Sequence, residues 1–183
     1  MIIEDVDRHA REQPGARAVV EVGADGRIRE LAWAELAKQS TRVAQALVSL
    51  GVQPGENVAF QLPNRLEFVA IALGTLRAGA VCEPLMPIFR ERELEFMLRE
   101  SGARVLFVPG VFRGRDYTAT AAGVRSTLPD LEHVLDTSDI GTYPYDTGTY
   151  QSPKRSPADI AQLLFTSGTS GEPKGALHRH DVL

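Results

Sequence analysis

The stretch Leu163-Leu164-Phe165-Thr166-Ser167-Gly168-Thr169-Ser170-Gly171-Glu172-Pro173-Lys174-Gly175 decides how this chain is read. Ile160, Leu163, Leu164 and Phe165 form a short apolar run of the kind a sheet buries. At Thr166 the character changes: six successive residues, Thr166 to Gly171, are Thr, Ser or Gly, leaving the backbone nearly bare. Gly168 and Gly171 can take positive φ, which a loop needs to turn several N–H groups toward one point. Pro173 stiffens the exit, and Lys174 follows it. Converging amides, hydroxyls and one ammonium are what a polyphosphate needs.

A flexible Gly/Ser linker has a similar composition, but three features count against it. A linker needs no apolar strand leading into it, and Pro-Lys-Gly fixes geometry where a linker keeps freedom. The chain also has only three lysines, Lys38, Lys154 and Lys174, against seventeen arginines, yet uses a lysine here. A compact ammonium on a flexible stem suits a moving phosphate better than a rigid fork. The G-x-x-x-x-G-K-[ST] loop does not fit: from Gly168 its second glycine falls at Pro173, and Gly175 follows the lysine.

Phe165 to Gly175 resembles the signature of the adenylate-forming superfamily, roughly [aromatic]-T-S-G-[ST]-T-G-x-P-K-G, which includes acyl- and aryl-CoA synthetases and peptide-synthetase adenylation domains. Ser170, where Thr is usual, departs by one methyl and keeps the hydroxyl. The resemblance is strong at residues 163–175 and weaker over most of the chain, including Pro84 to Ala103.

With 183 residues and 43% hydrophobic content, the chain can build one sizeable core. A formal charge of −4 leaves no broad basic face for nucleic acid, so an anion must be held by a local site. The single cysteine, Cys82, excludes an internal disulfide and fits a reduced compartment, and nothing beside it in sequence marks a nucleophile. Phe68 to Leu76, the longest apolar run, is less than half a membrane span. The acidic start is no signal peptide, so a cytoplasmic location is expected.

Periodicity and punctuation predict a helix over Ile2 to Glu12, a hairpin from Ala18–Val22 and Ile28–Leu31, and a long helix from Trp33 to Gly51. Strands are expected at Val58–Leu62, Ala80–Glu83, Val105–Val108, His133–Leu135 and Ile160–Phe165. Helices are expected at Arg65–Ala78, Glu91–Ser101 and Asp116–Thr127. That alternation predicts an α/β fold with a largely parallel sheet and flanking helices, and Thr166–Lys174 emerging from its last strand. Asp136 to Ala158, rich in Ser, Thr, Tyr, Pro and Gly, reads as a surface loop without chemistry. Glu91 and Glu93 read as a solvated helix face, and His9 and His133 as surface or edge histidines. His178 and His180 would share a strand face, but no Cys or third His accompanies them, so they are not read as a metal site.

The resemblance implies a reaction in which a carboxylic acid and ATP give an acyl-adenylate and pyrophosphate, after which a thiol such as CoA takes the acyl group. It implies that Thr166, Ser167, Gly168, Thr169, Ser170, Gly171 and Lys174 hold the β- and γ-phosphates, with Lys174 catalytic. Mg²⁺ would share that task, with no ligand assigned. His180 is expected to border the acid pocket, by the family's Thr-His pair, although Arg179 replaces the Thr. Residues 1–183 are expected to be the N-terminal portion of an adenylation domain ending just after the phosphate loop, and inactive alone. The other reading, a non-catalytic nucleotide- or phosphate-binding module, remains open from the residues themselves.

Overall fold

Ile2–Glu12 forms helix α1, which turns Ile3 and Val6 inward. It leads into a hairpin of β1 (Arg17–Val22) and β2 (Ile28–Ala32), antiparallel with Val22 opposite Ile28. Helix α2 (Trp33–Ser49) follows, burying Leu36, Ser40, Val43, Ala44, Ala46 and Leu47 at helical spacing. The computed structural model describes residues 1–139, 150–166 and 172–183, and every statement below concerns those.

The strand–helix beat comes next. In order these are β3 (Asn57–Phe60), α3 (Leu66–Arg77), β4 (Val81–Pro84), α4 (Glu91–Ser101) and β5 (Val105–Val108). A small hairpin of β6 (Val111–Phe112) and β7 (Arg115–Asp116) intervenes before α5 (Tyr117–Arg125) and β8 (His133–Asp136). The described chain closes with β9 (Ile160–Thr166) and β10 (Lys174–Arg179). Six of these strands form one sheet in the order β10-β9-β4-β3-β5-β8, parallel throughout except for β10. The expected parallel sheet is therefore present, and element limits move by only a few residues. Pro84, expected to stop β4, is its last paired residue, opposite Phe60.

Strand order reverses at β3: the chain steps one way to β4, then crosses back to β5 and β8 on the other side. Right-handed crossovers in opposite directions must place their helices on opposite faces. The core follows. Val58, Phe60, Val105 and Phe107 pack into the cluster with α1, α2 and α3. Ala59, Leu106 and Val108 pack into the one with α4 and α5. Buried on both faces, β3 and β5 are nearly continuous apolar runs, as central parallel strands must be.

The presumed loop before β9 is only partly a surface loop. The Arg77 carbonyl at the end of α3 accepts from the Tyr150 hydroxyl at 2.5 Å, Ser152 Oγ at 2.8 Å and the Arg155 guanidinium at 3.1 Å. The side chain of Arg155 is 9% exposed and also reaches Glu4 of α1 at 3.4 Å. Residues 150–155 are thus a strap that fixes the start of β9 to two helices. Sequence reading misses it because its partners lie more than seventy residues away.

Candidate functional site

β9 and β10 form a hairpin at the edge of the sheet, with Lys174 opposite Thr166 and Gly175 opposite Phe165. The Thr166 hydroxyl donates to the Lys174 carbonyl at 3.3 Å, closing the mouth of the loop between them. At Gly175 the approach is close: a Cβ there would stand 2.8 Å from Leu163 Cδ1, the end of a flexible side chain that would have to shift. The Lys-Gly pair therefore has a mechanical meaning. The glycine leaves Leu163 its place while the exposed lysine begins the return strand. Ser167, Gly168, Thr169, Ser170 and Gly171 lie outside the described residues. Of the expected phosphate contacts, Thr166 and Lys174 are therefore placed, side by side at the carboxyl end of β9.

That end of the sheet is where open parallel sheets bind ligands. Beside the hairpin, a cleft of about 530 Å³ runs between α4 and β9–β10, with Phe96, Ser101, Leu163, Phe165 and Lys174 in its walls. Glu172 joins Lys174 in its lining, with Asn57 and Glu100.

A second constellation sits where strand order reverses, at the carboxyl ends of β3 and β5. Arg65, which follows β3, lies over the Phe112 ring at 5.0 Å, and Arg113 lies over the same ring at 5.3 Å. Arg115 stacks on Tyr117 at 4.8 Å and donates to the Phe89 carbonyl at 2.9 Å. The β6–β7 turn has two residues, both with positive φ, 49° at Arg113 and 76° at Gly114. Such a turn prefers Asn-Gly, so an arginine in its first position is held there at a cost in backbone strain. Met86 and Ile88, in the loop before α4, and Val111 of β6 are exposed apolar residues at this end of the sheet. Sequence reading passed over this hairpin; its trace is Arg113-Gly114 between an apolar pair and Arg115-Asp116.

His180 stands elsewhere. β10 runs antiparallel to β9, so His180 lies at the amino end of β9, its backbone N–H donating to the Asp159 carbonyl at 3.1 Å. Six residues of hairpin, roughly 20 Å at strand rise, separate it from Lys174. It is buried, with its Nδ1 unpartnered among the described residues, and burial first, then Arg155, hold its pKa below the ordinary value. His178 pairs opposite Gln162 on the strand. Among the described residues no three His, Cys, Asp or Glu side chains cluster as a metal site would. Cys82 is buried and donates to the Ala72 carbonyl at 3.2 Å, and burial pushes its thiol pKa up strongly, the opposite of an activated nucleophile. Glu93 accepts from the Arg90 N–H at 3.0 Å and so caps α4. His9 stacks on Trp33 at 4.7 Å. No described helix is long and apolar enough to cross a membrane.

Comparison with known proteins gives a family model, described as AMP-binding enzyme, that matches residues 6–183. The salicyl-AMP ligase / salicyl-S-ArCP synthetase of Mycobacterium tuberculosis is 34% identical over 180 residues, covering 94% of this chain and 32% of its own length. The medium-chain fatty-acid–CoA ligase of Escherichia coli is 29% identical over 182 residues, covering 94% and 31%. Among solved structures, the anthranilate CoA ligase AuaEII in complex with anthranoyl-AMP superimposes with a TM-score of 0.79. It is 26% identical, over 97% of this chain and 33% of that one. The chain thus spans about a third of the length of these ligases.

Proposed function

This chain belongs to the AMP-binding enzyme family, and on that premise we propose that it carries the pyrophosphate grip of an ATP-dependent acid–thiol ligase. A carboxylate oxygen attacks the α-phosphorus of ATP, the bond to the β-phosphate breaks, and pyrophosphate leaves an acyl-adenylate. A thiol sulfur then attacks the acyl carbon and AMP departs. The observation that carries this reading is the hairpin itself. A hydroxyl-rich loop is pinned at its mouth by Thr166 and answered by an exposed lysine, at the carboxyl end of the sheet.

Thr166, Ser167, Gly168, Thr169, Ser170 and Gly171 would supply donors to the β- and γ-phosphates, and Lys174 would neutralise the charge that gathers on the leaving pyrophosphate. Mg²⁺ is expected with ATP, but the described residues offer no cluster of carboxylates for it, so no step is assigned to it. The Arg65–Phe112–Arg113 constellation favours CoA as the thiol: guanidinium groups over an aromatic face suit a phosphorylated, ring-bearing second substrate. The acid itself is of unassigned structure, and His180 stays a proposed neighbour of its pocket. The single buried thiol fits a reducing, cytoplasmic setting.

The test is acid-dependent exchange of pyrophosphate into ATP by the enzyme carrying this chain, with and without Lys174→Ala. A charge-assisted contact is worth roughly 1.5–3 kcal/mol, so exchange should fall about ten- to a hundredfold. Equal rates would remove Lys174 from the site, and no exchange in either protein would favour a binding module without catalysis.

A further inference from the structure

Glu83 is a carboxylic acid buried in the middle of the sheet. It lies on β4, in register with Ala59 of β3, and none of it is exposed. Ala59 belongs to the cluster under α4 and α5, and neighbours in register share a face, so Glu83 faces α4. Among the described residues neither carboxyl oxygen has a hydrogen-bond partner within bonding distance. The polar group that acts on it is the hydroxyl of Ser101, the last residue of α4. That end of a helix presents carbonyls with partial negative charge, a poor place for an anion.

Among the described residues, no counter-charge acts on it. β3 contributes Ala59 in register, and Asn57 gives its amide to the Ser101 carbonyl at 2.6 Å. On α4, Glu100 lines the neighbouring cleft, and Ser101 also reaches the Leu98 carbonyl at 3.3 Å. β9 brings Leu163 to the same cleft. No charged side chain is among the causes that set the affinity of Glu83 for its proton. Burial pushes its pKa up to about 8, opposed only by Ser101.

We propose that Glu83 is a proton-operated latch: protonated, it lets the last turn of α4 close on β4, and ionised, it drives that turn outward and widens the cleft beside the phosphate loop. An unpaired carboxylate in this position must reach water. Ser101, the polar group that acts on it, is half-buried and lines the cleft together with Lys174. The described ties of the last turn are the Asn57 amide to the Ser101 carbonyl, the Gly102 and Ala103 N–H groups to the Leu98 carbonyl, and Arg99 to the Thr127 carbonyl, above a buried Leu98.

The sign follows from linkage. The closed form holds its proton up to about pH 8, whereas an opened carboxyl releases it near the ordinary glutamate value of 4.5. Closure therefore weakens as pH rises through that window and changes no further above it. The experiment is native-state hydrogen exchange at the amides of residues 98–104, corrected for intrinsic base catalysis, from pH 5 to 9. The local opening constant should rise toward tenfold per pH unit below about pH 8 and then level off, as one linked proton requires. In Glu83→Gln, and in Glu83→Met in case the amide disturbs packing, it should be independent of pH. A flat profile in the wild type, or the same slope in a variant that keeps the native circular dichroism spectrum, would overturn the latch. The measurement does not involve ATP, so its outcome is independent of the ligase reading.

Discussion

Two hairpins stand at the carboxyl end of the sheet, and they present cations by opposite means. β6–β7 turns in two residues, and its backbone alone, strained at Arg113, holds the guanidinium against Phe112. β9–β10 leaves seven residues between Thr166 and Lys174, which face each other in register and are also tied by one hydroxyl-to-carbonyl bond. The short hairpin carries its order within itself. The long one borrows order from below, where the strap through Tyr150, Ser152 and Arg155 pins the start of β9 to α3 and α1. A long hairpin needs a fixed base. A stacked arginine needs only a fixed position.

Removing the borrowed order should have the largest effect on stability. Arg155→Ala leaves the carbonyls of Leu76 and Arg77 and the carboxylate of Glu4 without their shared cation. Losing a largely buried charge-assisted donor costs about 2 kcal/mol. In a domain of this size that is a fall in Tm of roughly 4–8 °C, readable by thermal denaturation. An unchanged Tm would mean that β9 is held by the sheet alone and that the contrast between the hairpins is false.

Arg113→Gly should move stability the other way. Glycine accepts positive φ without penalty, so relief of strain is worth up to about 1 kcal/mol, or roughly 2–4 °C in Tm. The same change removes one cation from Phe112, and the KM for CoA should rise severalfold while acid-dependent pyrophosphate exchange stays level. A stability gain without any change in the CoA step would reduce β6–β7 to a structural turn.

Thr166→Val should have the smallest effect on folding, because its bond is exposed and links strands already paired. A change below about 0.5 kcal/mol is expected, as for surface substitutions generally. Exchange of pyrophosphate should nonetheless fall a few fold, since a neutral donor contributes about 1 kcal/mol. Large destabilisation with normal exchange would show that the hydroxyl serves the hairpin and not the phosphates.

Much of this was legible along the chain. The run from Ile160 into Thr166–Gly171 and Pro173-Lys174 reads as strand and bare loop, and the structure ends β9 at Thr166 and adds a return strand from Lys174 that the sequence does not announce. Helix limits were equally readable: Gly102 ends α4 in the left-handed conformation, and Asp116 caps α5 by accepting from the Ala119 N–H. Residues 140–149 lie outside the described residues, and 150–158 are a mostly exposed loop as expected, except that Tyr150, Ser152 and Arg155 tie it to a helix end, which Ser, Thr, Tyr and Pro do not announce. Arg113-Gly114 was passed over because an arginine is not the residue that announces such a turn.

The sequence by itself therefore determined the kind and order of the elements, the glycine and hydroxyl character of the loop, and the lysine that follows it. These signals depend on neighbours within a few residues, through backbone sterics, capping and the 2.0 and 3.6 residue periods. Only the tertiary structure decided that strand order reverses at β3, which brings Arg65 onto Phe112. It alone decided that Arg155 ties to α3 and that Glu83 is sealed beneath the end of α4. Each of those depends on which elements pack together across the core, and no local pattern carries that choice.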